Sequence, residues 1–185
     1  LPVAFWRKVL APLDTSMRTL MNENCDLWIC PNHDRFSFRA PIPALGTVHD
    51  LMHRYEPSFP EVSANGEYES REFHFRETCR WSRGILVDSE LGKQHVVDSY
   101  GTAPEKVFVL PFIAPAYIYE STEADAAAVR EKYPLPEKGF FYPAQFYLHK
   151  NHQKRSAARG LRRVDHPDVR LVVLCWNERN SYDQL

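Results

Sequence analysis

Gly139-Phe140-Phe141-Tyr142-Pro143-Ala144-Gln145-Phe146-Tyr147-Leu148-His149-Lys150-Asn151-His152 is the stretch on which the reading of the chain turns. Its apolar and aromatic opening predicts a buried strand. Pro143 cannot donate to a strand ladder, so the strand ends near it. A polar and aromatic turn follows, and His149-Lys150-Asn151-His152 begins a polar, helix-prone segment. A strand, a turn and a helix start form the arrangement that holds phosphates in open α/β sheets. The exposed N–H groups and positive dipole end of the helix attract anions, and Lys150 adds a full charge. An ordinary βα loop with an exposed basic tip would show the same residue types.

Working outward, a basic helix is expected over 154–163. Pro167 then precedes the apolar run Val169-Arg170-Leu171-Val172-Val173-Leu174-Cys175, read as another buried strand. Residues 139–175 therefore make a strand–helix–strand unit. Upstream the pattern recurs. Gly84-Ile85-Leu86-Val87-Asp88 reads as a strand, and Ser89 caps a helix running to about Tyr100 with Leu91, His95 and Val96 facing inward. Gly101 ends that helix and Lys106–Pro111 is the next strand, which implies a right-handed parallel crossover. A proline- and tyrosine-rich linker over 112–120 and an alanine-rich helix, Glu123 to Tyr133, join the two units.

The first third is read the same way. Asp14 or Thr15 caps a short helix over Ser16–Glu23, and Asp26–Cys30 is a strand. Pro31–Arg35 is a polar loop. Pro41–Val48 leads into a strand that ends at His49-Asp50, with one helical turn at most before Pro57. Phe59–Glu69 is expected to be an irregular polar loop, and Arg71–Arg83 a helix carrying Phe75, Cys79 and Ser82 at helical spacing. Two α/β blocks joined by a linker predict two parallel-sheet pieces facing a cleft.

Composition narrows the function. The 185 residues are 44% apolar, enough for a core, and carry a net charge of −1, which argues against a sequence-independent grip on nucleic acid. No apolar run approaches the roughly 18 residues needed to span a membrane, and no signal-peptide pattern is present. The cysteines at 25, 30, 79 and 175 show no two-residue gap. They read as reduced small hydrophobes in a cytoplasmic protein. The first residue is Leu, and the expectation is an internal piece of a longer protein.

His49 and Asp50 stand where open α/β sheets place ligands, at the carboxyl end of a strand. They serve equally well as local caps of the strand and the next turn. His49-Asp50-Leu51-Met52-His53 also has two histidines four apart, as in zinc hydrolases. Asp replaces the usual Glu, and Pro57 leaves little room for the helix such a site needs. Ser89 is most simply a helix cap. Lys154, Arg155, Arg159, Arg162 and Arg163 form a basic face, most simply solvated, and Asp165-His166-Pro167-Asp168 a turn.

Taken in order, three segments resemble the retaining glycosyltransferases of family 4, of GT-B architecture. They are Val48–Pro57 with its His-Asp-Leu sequence, Ile85–Pro111, and Phe140–His152 with Lys-Asn-His. The resemblance covers about 48–175. It implies an α/β fold with Rossmann-like parallel sheets in two domains facing a cleft, the second incomplete. The first domain would be 1–113, a linker and helix 114–138, and the start of the second 139–185.

The resemblance further implies transfer of a sugar from a UDP- or GDP-sugar to a glycan, lipid or other acceptor, with no cofactor and no metal. Lys150 would neutralise the charge developing on the donor diphosphate, with Gln145 and Asn151 as supporting donor-binding residues. His49 would lie near the donor sugar. Many members carry Arg where Gln145 stands, and their glutamate-rich donor motif is not in this sequence. A non-catalytic nucleotide- or carbohydrate-binding module of the same fold is the alternative, and a metal hydrolase using His49 and His53 a more distant one. Peripheral association with the inner face of a membrane, and self-association, are further expectations.

Overall fold

The computed structural model describes residues 1–145, 147–151 and the strand 169–174. The basic helix expected over 154–163 and the turn at 165–168 lie outside the described residues. The chain divides into two units, Leu1–Ile113 and Ala114–Leu185.

The first unit opens with a helical run. It comprises α1 (Val3–Phe5), a π turn (Trp6–Leu10) and a 3-10 turn (Ala11–Leu13). Asp14 ends the run in extended conformation and caps α2 (Thr15–Asn22), its Oδ1 accepting the Met17 N–H at 3.0 Å. Four strands follow, β1 (Trp28–Cys30), β2 (Ala44–Val48), β3 (Gly84–Val87) and β4 (Val107–Val109). All pair in parallel, in the order β1-β2-β3-β4. Between them lie α3 (Phe36–Arg39), the single turns α4 (Met52–Tyr55) and α5 (Pro60–Ser63), α6 (Glu67–Trp81) and α7 (Glu90–Tyr100). This is an α/β unit with a parallel, Rossmann-like sheet.

The register assigns each side chain to a face. Cys30, Gly46, Ile85 and Val107 stand in one row, and Val48, Val87 and Val109 in the next. This face is covered. Phe75 and Cys79 of α6 and Val96 of α7 bury Val48, Ile85, Val87 and Val107 in one apolar cluster with Leu51. The opposite face carries Ile29, Leu45, Leu86 and Phe108, and Ile29 and Phe108 are 60% and 51% exposed. Gly46 is the point of closest approach on the covered face. A Cβ there would collide with Thr78 Cγ2 and lie 2.8 Å from Ser82 Oγ, so α6 sits directly on the strand.

Three expectations are corrected here. Phe59–Glu69 is not an irregular loop, because Pro60 starts α5 and α6 begins at Glu67. Asn65 and Gly66, with φ of 55° and 82°, turn the chain between them, and such left-handed residues look like loop in a sequence. Leu91 does not face inward and is largely exposed; Val96 alone of α7 is fully buried. Cys25 is exposed, unlike the buried Cys30 and Cys79, since it follows the end of α2 rather than entering the sheet.

In the second unit a capping box of Thr122 and Asp125 starts α8 (Glu123–Lys132). Strand β5 (Lys138–Pro143) pairs in parallel with β6 (Val169–Leu174). The expectation that β5 is buried is corrected. Phe140 and Phe141 are 59% and 62% exposed, because two strands leave both faces of the ribbon open among the described residues. No helix among the described residues is long and apolar enough to cross a membrane.

Candidate functional site

The carboxyl ends of all four strands converge on the ring of His49. The register pairs Val48 with Val87, so the next residues, His49 and Asp88, emerge side by side. His49 Nδ1 lies 3.1 Å from both Asp88 carboxylate oxygens and donates to them. Its Nε2 lies 3.1 Å from the Pro31 carbonyl, just beyond β1. Phe112, beyond β4, stacks on the ring at 5.7 Å and 19°. Asp88 and Pro31 are both acceptors, so each ring nitrogen is presented with a place to donate.

The backbone of His49 is held as well, its N–H donating to His33 Nε2 at 3.1 Å. Burial pushes the His33 imidazole down to about 4, and nearby His49, His74 and Arg71 push the same way against Asp50. Asp50 is held below the usual carboxylate range. Burial works against this, but the Met52 N–H and the Arg71 guanidinium, which donates to Oδ1 at 2.5 Å, outweigh it.

Beside His49 is a cavity of about 250 Å³. Its walls are Asp50, Tyr55, Glu56 and Ser89, with Leu91 and His95 at one side. Tyr55 and His95 stack at 3.6 Å and 12°, giving a flat wall. Ser89 is also the cap of α7, its Oγ accepting the Gly92 N–H at 3.1 Å.

His53 does not join His49. It is fully buried, and its Nε2 donates to Glu72 Oε2 at 3.2 Å. The same carboxylate takes two hydrogen bonds from Arg54. The described residues hold no group of three His, Cys, Asp or Glu side chains placed to bind a metal ion.

Lys150, Gln145 and Asn151 belong to the second unit. Leu148–Lys150 is one 3-10 turn, closed by Asn151 in the left-handed region at φ 56°. Tyr147 and Leu148 carbonyls take the Lys150 and Asn151 N–H groups at 3.0 and 2.9 Å. Those two amides are therefore engaged within the turn rather than offered to an anion. Tyr142 of β5 donates to the Lys150 carbonyl at 2.9 Å and ties the turn to the strand. Gln145 is exposed and Lys150 half-buried.

Sequence reasoning singled out His49 and Asp50 but missed Asp88, His33 and Phe112. Asp88 carried a usable signal, because it ends an apolar strand as His49 does.

No family model matches the chain. Among curated proteins it is similar to GTPase Der of Ligilactobacillus salivarius (strain UCC118), 29% identical over 143 residues. The match covers 74% of this chain and 29% of that protein, so the chain spans less than a third of the relative's length. These comparisons correct the expected membership of the family 4 glycosyltransferases: the similarity found is to a GTPase, and no family model supports the assignment.

Proposed function

We propose that the chain is part of a sugar-transferring enzyme, moving a sugar from a nucleotide-sugar donor to a hydroxyl of a glycan, lipid or other acceptor. The observation that carries this reading is the convergence of Pro31, Asp88 and Phe112 on His49 beside a cavity of about 250 Å³. The cavity has the size of a small hydroxylated ring. Carboxylates, a hydroxyl and imidazoles on its walls suit hydroxyl groups, and the Tyr55–His95 stack suits a sugar's C–H face. Departure of a nucleoside diphosphate leaves positive charge on the sugar's anomeric carbon. The Asp88 carboxylate favours that charge, and His49, whose Nδ1 meets Asp88 and whose Nε2 meets the Pro31 carbonyl, holds that carboxylate beside the cavity.

In the second unit, Lys150 is the cation assigned to the donor diphosphate, with Gln145 and Asn151 as neighbours that hydrogen-bond it. The reading brings with it the two-domain GT-B arrangement, retention of configuration, no cofactor and a cytoplasmic setting. Where the acceptor is lipid-linked, the inner face of the membrane is the place of action.

Calorimetric titration with UDP, GDP and their hexose conjugates tests it. His49→Ala should weaken the hexose conjugates about tenfold while sparing the free nucleotides, because it removes the ring that holds Asp88 beside the cavity. Lys150→Ala should weaken all of them by about 10- to 100-fold. Equal binding of conjugates by the wild type and His49→Ala would sink the reading.

The similarity to GTPase Der favours a second reading, guanine-nucleotide binding. The sequence contains no G-x-x-x-x-G-K-[ST] phosphate loop. Binding of GTP in preference to both hexose conjugates would establish that reading instead.

A further inference from the structure

We propose that His33 is a positioning residue for His49, acting as the neutral acceptor that fixes the backbone at the end of β2. The inference rests on the proposed role of His49 for its functional part, and on geometry alone for its structural part. The His49 N–H is the first backbone donor beyond β2, and no further strand residue is there to accept it. His33 Nε2 takes it at 3.1 Å. That contact assigns the tautomer: Nε2 carries the lone pair and Nδ1 the proton.

His33 is itself fixed by what surrounds it. Its ring meets Phe75 of α6 edge-on at 4.8 Å, His49 at 5.0 Å and His74 at 6.1 Å. The charged and titratable groups around it are His49 and Asp50 from the strand end, and His74 and Arg71 from α6. Only Asp50 favours a cation, and Arg71 already pairs with it. A proton on Nε2 would abolish the contact to the His49 N–H and place a cation among two histidines and an arginine. The loop after β1 thus grips His49 at two points, the ring through the Pro31 carbonyl and the backbone through His33.

Two variants separate this role from simple packing. His33→Gln can present an amide oxygen to the same N–H, whereas His33→Leu cannot. The first readout is nuclear magnetic resonance of ¹⁵N-labelled protein. A ¹⁵N–¹⁵N coupling across the N–H···N bond should link the His49 amide to His33 Nε2, and it should vanish as the pH falls through about 4. A folded protein lacking that coupling at neutral pH, or one whose His33 carries its proton on Nε2, overturns the proposal.

The second readout is binding of the UDP- and GDP-hexoses. His33→Leu should weaken the conjugate that binds about tenfold, and His33→Gln should restore most of it. If His49→Ala weakens binding and His33→Leu does not, the positioning role is overturned while the function stands. If His49→Ala changes nothing, the function reading fails, and the coupling measurement still decides the role of His33.

Discussion

His53 and Glu72 meet at 3.2 Å, the imidazole Nε2 against a carboxylate oxygen, with His53 wholly shielded from solvent. Tyr100 adds its hydroxyl to the same oxygen at 3.3 Å, and Arg54 takes both carboxylate oxygens. Hydrogen bonds from Arg54 and then His53 bring the Glu72 carboxyl down to about 2, against the opposing effect of burial. Three elements, α4, α6 and α7, are pinned at one carboxylate.

Glu72→Ala should therefore destabilise the first unit by about 2–3 kcal/mol, since it strands a buried imidazole and a guanidinium together. The depressed carboxyl contributes stability that is present above its ordinary value near 4.3 and lost as the pH falls toward 2. Urea unfolding of wild type and variant between pH 2 and 7 should show the two curves converging at the acid end.

A second loss begins at higher pH. His33, His53 and His74 are all lowered by burial, His33 to about 4. In the unfolded chain each takes up a proton near its ordinary value of about 6.5. The unfolded state thus binds more protons, and stability falls as pH drops through 6.5 toward 4. Replacing His74 by Gln should flatten this slope, as measured by the thermal midpoint from pH 7 to 4.5.

Gly46→Ala tests the seat of α6 on β2. The added methyl would meet Thr78 Cγ2 and Ser82 Oγ, both on buried side chains with little room to move. Overpacking of this kind costs about 1–3 kcal/mol. The combined variant Gly46→Ala, Thr78→Ser removes the methyl in the way and should recover part of the loss, measured by denaturant midpoint.

Asp88→Asn keeps the shape at the end of β3 and removes the charge behind His49. It should weaken hexose-conjugate binding about tenfold and leave the unfolding midpoint within about 1 kcal/mol of wild type. A variant that binds the conjugates as well as wild type would separate Asp88 from the site.

The legible parts of the fold were those with local signals. Gly84–Val87, the Ser89 cap and Gly101 marked β3, α7 and its end, because a buried parallel strand and a capped helix each leave a short signature. The start of α6 was illegible for the opposite reason. It follows two left-handed residues without a capping side chain, and its buried face includes Glu77 and Thr78. Half of the candidate site was legible. His49 could be placed from its strand end alone, but its partner Asp88 lies 39 residues away, and only the pairing of β2 with β3 brings them together.

The four strands of the first sheet lie in space in the order in which they occur in the chain. From β2 to β4, each new strand docks on the edge that its predecessor has just exposed. A chain leaving the ribosome can therefore add β2 to β1, then β3, then β4, one layer at a time. The groups around His49 arrive in the same order: Pro31 and His33 first, then His49 itself, then Asp88, and Phe112 last. Among these groups Phe112 comes after β4, so the set around His49 is complete only when β4 has followed β3.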